Sequence, residues 1–289
     1  MTLARAVSLG FCWAWLALFS IVPLGIILVI ALARPADTVP PFGFAADLDN
    51  FAMAASDEIY RAAFWISLRT ASISTAICLL IGYPMALAIA RAPERWRGPL
   101  LLALMLPFWT GFLMRVNAWI GMLRDDGWVN AALMFLGFAP MRLLYTDIAL
   151  YIGMVYTYLP FMVLPVYARL TKLDATLLDA AADLGASPMR AFLRVTLPLS
   201  LPGVAAGIAL VFIPSVGEYV IPDLLGGPGA RLIGRVLWEE FFQNRDWPMA
   251  ASLAWLLLMV LVVLPVCVRA VVAARVNRSG IDGSGIGKV

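Results

Sequence analysis

Six stretches of this chain are too apolar and too long to fold as ordinary soluble segments. Phe11–Ala33, Tyr60–Ala90, Leu100–Met122, Ile148–Leu170, Leu199–Val220 and Ala250–Val272 each reach the ~20 residues a helix needs to cross hydrocarbon. A backbone in lipid must satisfy its own hydrogen bonds, so runs of this length specify helices rather than barrel strands. Only 13% of the 289 residues are charged, about half the usual share of a soluble domain. The reading is therefore an all-α integral membrane protein with six transmembrane helices, forming one domain over residues 1–289. Phe11–Ala33 is read as an uncleaved first span. It exceeds a signal-peptide core, although Ala31-Leu32-Ala33 resembles a cleavage site.

Six spans put both termini on one side. That side, with the 91–97 loop and the 169–194 stretch, carries twelve Lys or Arg against five Asp or Glu, a net of +7. The rest of the chain carries −4. By the positive-inside rule the termini are cytoplasmic. An overall charge of +3 gives no footprint for nucleic acid. There is no histidine, so histidine-based metal sites and acid–base chemistry are excluded. Cys12, Cys78 and Cys267 stand apart in apolar runs and read as buried small hydrophobes, with no metal site among them.

Three polar segments join spans on the other side. Residues 34–58 read as a loop with an amphipathic patch near Phe51. Residues 124–147 read as a segment with a helix near the interface, around Trp128 and Phe135. Residues 222–248 read as a third loop. The tail from residue 276 is Gly- and Ser-rich and reads as disordered. Its Gly283–Lys288 string lacks the spacing, the Ser or Thr and the preceding strand of a phosphate loop. No nucleotide site is legible, and energy for active transport has to come from a partner.

The polar interruption at residues 172–196 is patterned. Leu177, Ala180, Ala181 and Leu184 share one helical face, opposite Lys172, Thr176, Asp179 and Asp183. Gly185 suits the left-handed residue past a helix end. Ser187-Pro188 supplies an N-cap and first turn for a second short basic helix with Arg190 and Arg194. Pro198 and Pro202 bracket entry to the fifth span.

The other chemical signal lies at that span's far end, Gly217-Glu-Tyr-Val-Ile-Pro-Asp-Leu-Leu-Gly-Gly227. A carboxylate in an apolar helix costs about 2.5–3.5 kcal/mol on insertion scales and usually faces a pathway or a partner. Glu218 reads as an acceptor for a cationic substrate, with Tyr219 offering its ring, as one half of an ion pair with Arg69 or Arg115, or as a side chain snorkelling to the interface. Asp223 reads as an outer gate or loop residue. Trp109 and Trp119 read as interface aromatics or pathway residues. Arg115 either orients Glu218 or Asp223 or anchors its helix end. Of Tyr156 and Tyr158, at most one faces a pathway.

The strings Asp179-Ala-Ala-x-x-x-Gly185-Ala-Ser187 and Leu197-Pro-x-Ser-x-Pro-Gly203 resemble the cytoplasmic coupling loop of ATP-binding-cassette importer permeases, with Asp179 where that family usually has Glu. Arg115-Val-Asn-Ala-Trp119, Asp126–Asn130, Gly217–Gly227 and Asn244-Arg-Asp-Trp-Pro248 resemble the permease of bacterial polyamine importers, most of all its putrescine-type subunit. The resemblance runs from the first span to the sixth. It implies a type I importer permease fold in a bacterial inner membrane. It implies Asp179, Ala180, Ala181, Asp183, Leu184, Gly185, Ala186 and Arg190 as the ATPase-docking surface. Implied partners are a second, homologous permease, a homodimeric ATPase that holds the ATP and magnesium, and a periplasmic polyamine-binding protein.

Overall fold

A computed structural model describes residues 3–174 and 176–263. The tail from residue 276, the phosphate-loop-like string, Cys267 and the last part of the expected sixth span lie outside them. Contacts sort the chain into two units, one running to Arg61 and resuming at Leu237, the other running from Ala62 to Val236.

Among the described residues, four helices are long and apolar enough to cross a membrane. They lie in α1 (Leu3–Ala31), α3 (Glu58–Arg91), α7 (Asp147–Leu170) and the continuous helix Pro188–Val216. Pro84, Pro160 and Pro165 are accommodated inside α3 and α7 without a break in the assigned helix. The described part of the sixth expected span is a shorter apolar helix, Trp247–Val263.

The third span differs from expectation. Leu100–Met122 is not one rod but two helices at 90°. α4 (Glu94–Met105) tightens into a 3-10 turn, Leu106–Trp109. Thr110 is extended, and α5 (Phe112–Leu123) starts afresh after Gly111. Pro107 has no N–H to donate, which weakens the helix there. The carbonyls exposed by the break are claimed by a side chain: Arg115 Nη1 donates to Pro107 O at 2.7 Å and to Thr110 O at 3.5 Å. Its guanidinium lies 4.9 Å from the centre of the Phe108 ring.

The segments read as loops carry structure of their own. In the first unit Ala33–Pro35 (β1) pairs antiparallel with Phe42–Phe44 (β2), a small exception to an all-α reading, and α2 (Asp49–Ser56) follows. Asn50 donates to the carbonyls of Ala31 and Ala33 at 3.1 and 2.7 Å, and Ser252 donates to Ala31 at 3.1 Å. The residues resembling a cleavage site are thus tied into this unit. Exposed Arg34 pairs with half-buried Asp47 and holds its carboxyl below the usual carboxylate range. Cys12 is exposed, against expectation, because α1 turns most of its apolar surface outward; Cys78 is buried.

In the second unit α6 (Trp128–Phe135) is the expected helix after the third span. The segment expected as a third loop is largely helical: α11 (Val220–Leu225) and α12 (Ile233–Trp238), followed by a π-turn, Glu239–Gln243, in the first unit. Helices in lipid gain little by hiding apolar groups from one another, so close contact has to come from shape. Met162 of α7 shows how. It is fully buried, with Gly82 of α3 and Gly207 of the following span against it. A Cβ at Gly82 would fall 3.0 Å from its Cγ, and one at Gly207 would fall 2.7 Å from its Sδ.

Candidate functional site

Asp174 Oδ1 accepts the Thr176 N–H at 3.0 Å at the start of α8 (Thr176–Asp183). The other end closes with two backbone bonds, Ala186 N–H to Ala181 O at 2.9 Å and Gly185 N–H to Ala182 O at 2.8 Å. Gly185 has φ +76, the left-handed residue this cap requires. Ser187 Oγ accepts the Arg190 N–H at 3.4 Å, and Pro188 opens α9 (Pro188–Ala191). The expected helix–glycine–helix is present. Its second helix is not separate, however. It runs through a π-turn, Phe192–Thr196, into α10 (Leu197–Val216). Leu197 N–H bonds five residues back to Phe192 O, and the wider turn precedes Pro198, which has no N–H of its own.

This helical corner is outward-facing. Asp179, Ala180, Asp183, Leu184, Gly185 and Arg190 are exposed, while Ala181 and Ala186 are half-buried. Leu177 is 45% exposed, Met189 66% and Leu184 88%. Leu178 alone among the α8 leucines turns inward. A capped amphipathic helix with its apolar side uncovered is suited to fit a groove in another protein.

At the far end of the same helix, α10 stops at Val216, and Glu218 and Tyr219 are non-helical. The Glu218 carboxylate holds the break together. Oε2 accepts the Tyr158 hydroxyl of α7 at 2.6 Å. Oε1 faces the start of α11 and accepts from Tyr219 N–H at 3.1 Å, Val220 N–H at 3.0 Å and Ile221 N–H at 3.5 Å. These amides are the donors a helix start leaves without internal partners. Gly153 of α7 gives α11 its seat: a Cβ there would lie 2.5 Å from Leu225 Cδ1 and 2.9 Å from Ile221 Cγ2. Gly234 lies against the Gly217 carbonyl so closely that a Cβ would strike it.

Neither expected arginine reaches Glu218. Arg115 is committed to the bend after Pro107. Arg69 is exposed and makes no hydrogen bond or ion pair among the described residues. Asp223 is exposed and pairs with Arg235 at 3.3 Å, not with Arg115. Tyr219 is 41% exposed and Trp109 83%. Trp119 is half-buried and meets Tyr156 edge-on, their ring centres 5.3 Å apart. Of the two tyrosines in α7, Tyr158 faces the break and Tyr156 faces α5. Sequence reasoning missed Arg235 as the partner of Asp223, and it missed the polar and aromatic neighbours of the Asn244–Pro248 string in the first unit. There Glu240 accepts from Tyr60 at 3.0 Å and from Asn244 at 2.8 Å, beside the stacked rings of Phe241 and Trp247. The adjacent acids Glu239 and Glu240 next to three aromatics were the available signal.

Residues 2–278 match the family model described as "Binding-protein-dependent transport system inner membrane component". The chain is 38% identical over 264 residues, 90% of its length and 91% of the relative's, to the spermidine/putrescine transport system permease protein PotB of Haemophilus influenzae. It is 41% identical over 241 residues, 82% of its length and 86% of the relative's, to PotB of Escherichia coli K12. Among solved structures, a chain of the bacterial alginate ABC transporter in complex with an alginate pentasaccharide-bound periplasmic protein superposes with a TM-score of 0.67. It is 19% identical and covers 90% of each chain.

Proposed function

Because the chain belongs to the family of binding-protein-dependent transport system inner membrane components, we propose that it admits polyamines, putrescine or spermidine, to the cytoplasm and takes its energy from a separate ATPase docked on α8. Its fold is that of a type I importer permease, and it is a multi-pass inner-membrane subunit of an ATP-binding-cassette importer, not itself an enzyme. The observation that carries the coupling reading is the uncovered apolar side of α8, with Leu177 and Leu184 exposed on a helix capped at both ends. The cargo reading rests on the names of the 38–42% identical relatives, all spermidine/putrescine permeases.

The proposed assembly has this chain beside a second permease, two ATPase copies holding ATP and Mg²⁺ on the cytoplasmic side with both termini, and a periplasmic binding protein delivering the polyamine. Closure of the ATPases displaces α8 and opens the path outward. Glu218, Tyr219 and Asp223 then offer carboxylates and a ring to the arriving cation, with Trp109, Arg115 and Trp119 along the same path. Glu218 is also a latch, since an ammonium at Oε2 competes with the Tyr158 hydroxyl and loosens the break.

Uptake of labelled putrescine and spermidine into proteoliposomes tests this, using this chain with both kinds of membrane and ATPase partner and the cognate binding protein. Uptake should require ATP and every partner. Ion-gradient-driven uptake by this chain alone would replace the reading with a secondary carrier. A cognate binding protein that ignores polyamines and holds another solute would keep the architecture and overturn the cargo.

A further inference from the structure

Below the last turn of α3, on the side carrying the excess of Lys and Arg, the second unit forms a half-open cavity of about 240 Å³ that transport as described does not use. Its walls come from the ends of α3 and α7, the start of α4, the inner side of α8 and the π-turn. One side is apolar, with Leu87, Leu170 and Leu173. The other side carries two guanidiniums, Arg91 and Arg97. Arg97 Nε is spent on the Ala92 carbonyl at 2.9 Å, which orients the group. Neither arginine has an ion-pair partner among the described residues. The one acid in the wall, Asp174, pairs with neither and accepts the Thr176 N–H instead. Deeper in the wall stands Thr196, 3% exposed, whose hydroxyl has no hydrogen-bond partner among the described residues.

A buried hydroxyl without a partner is costly, and two unpaired cations beside an apolar wall are the counterpart of an anion carrying a hydrocarbon chain. The height is right for a lipid. Trp96, 53% exposed, lies between Arg95 and Arg97 as an interfacial aromatic, and basic pockets between membrane helices on the cytoplasmic side suit phospholipid headgroups. We propose that this cavity binds the phosphate of an anionic phospholipid such as phosphatidylglycerol. Arg91 and Arg97 hold the charge, Thr196 donates from below, and an acyl chain lies along Leu87 and Leu170. Because Leu178 of α8 lines the same cavity, an occupied site braces the ATPase-docking helix from behind, and the bilayer's anionic lipid content sets how firmly that helix is held.

The test uses the complete importer in nanodiscs of phosphatidylcholine with graded phosphatidylglycerol. Lipid retained after delipidation is quantified by native mass spectrometry, a readout that does not depend on which solute is carried. Wild type should retain phosphatidylglycerol. Arg91→Gln and Arg97→Gln should each lower retention about fivefold, the usual worth of one basic residue at an anionic surface. Arg97→Lys should keep most of it, and Arg95→Gln, outside the cavity, should change nothing. Equal loss with Arg95→Gln, or unchanged retention in both cavity variants, overturns the proposal. So does stabilisation of detergent-solubilised protein by inorganic phosphate with no lipid retained, which would make the cavity a free-anion site.

Discussion

Removing the Tyr158 hydroxyl should weaken the break in the fifth span by an amount the geometry bounds. The bond to Glu218 is 2.6 Å long and charge-assisted, and Tyr158 is 7% exposed, so water is poorly placed to substitute. Bonds of this kind contribute about 1.5–3 kcal/mol. Glu218 is only half-buried, which favours the lower end. Tyr158→Phe is therefore expected to cost about 1.5–2 kcal/mol. Glu218→Gln keeps an acceptor for the α11 amides but surrenders the charge, and should cost about 1–2 kcal/mol. Glu218→Ala strands the tyrosine and the three amides together and should cost about 3 kcal/mol or more. The decisive quantity is the coupling in a Tyr158→Phe, Glu218→Gln cycle, because the shared bond can be lost only once. Reversible unfolding of the purified chain in mixed micelles would measure it, expected at about 1 kcal/mol. Additive costs, within the ~0.5 kcal/mol scatter of independent sites, would refute the claim that these two groups hold the break.

Four further outcomes follow from the same geometry. Leu184→Asp, on a side chain 88% exposed, should change stability by less than about 0.5 kcal/mol while sharply reducing co-purification of the ATPase; undiminished co-purification would remove α8 as the docking element. Asp179→Glu keeps the charge on that exposed helix and should leave uptake and ATPase binding near wild type in the reconstituted system. Gly207→Val forces atoms onto Met162 and should cost about 1–3 kcal/mol, with partial rescue by Met162→Ala in the same unfolding assay. Arg34 depresses the Asp47 carboxyl, so the pair's contribution is present above the ordinary carboxylate range and is lost as pH falls through the lowered value. Protection of the β1–β2 hairpin amides, measured relative to their intrinsic exchange rates, should fall on acidification below about pH 4, and Asp47→Asn should remove that fall.

The helix–glycine–helix corner was legible because its signals are local. Gly185, Ser187 and Pro188 each act on the backbone within a turn, and all three do what their chemistry dictates. Proline was the misleading residue. Pro84, Pro160 and Pro165 sit inside unbroken helices, whereas Pro107 ends one. What separates them is company. At Pro107 the chain runs through extended Thr110 and Gly111 before a new helix starts, and Arg115 captures the carbonyls left over, a combination that span-by-span hydropathy does not register. Pro198 and Pro202 were read as a boundary, yet the π-turn carries the helix past them. The partner of Glu218 was out of reach for a different reason. The carboxylate was conspicuous, but Tyr158 lies 60 residues away, and Arg69 and Arg115, matched to Glu218 by charge, are held elsewhere or unpaired among the described residues. Likewise Arg235 could be joined to Asp223 only once α11 and α12 were placed.

The unbroken helix from Pro188 to Val216 has a mechanical meaning. At 1.5 Å per residue its 29 residues form a rod of roughly 43 Å, with the glycine corner at one end and the Glu218 clasp at the other. A stiff rod stores little of the work done on it. On the proposed coupling, a displacement where Gly185 meets Ser187 is carried along this helix to Val216, and the clasp at Glu218 is the first non-helical part beyond it. The π-turn near the driven end is the rod's one compliant washer, and Met162, held between two glycines, is a bearing against which it can turn. On the proposed coupling, the corner is where such an importer is driven, and one carboxylate and one phenol, joined at 2.6 Å, are what the drive has to part.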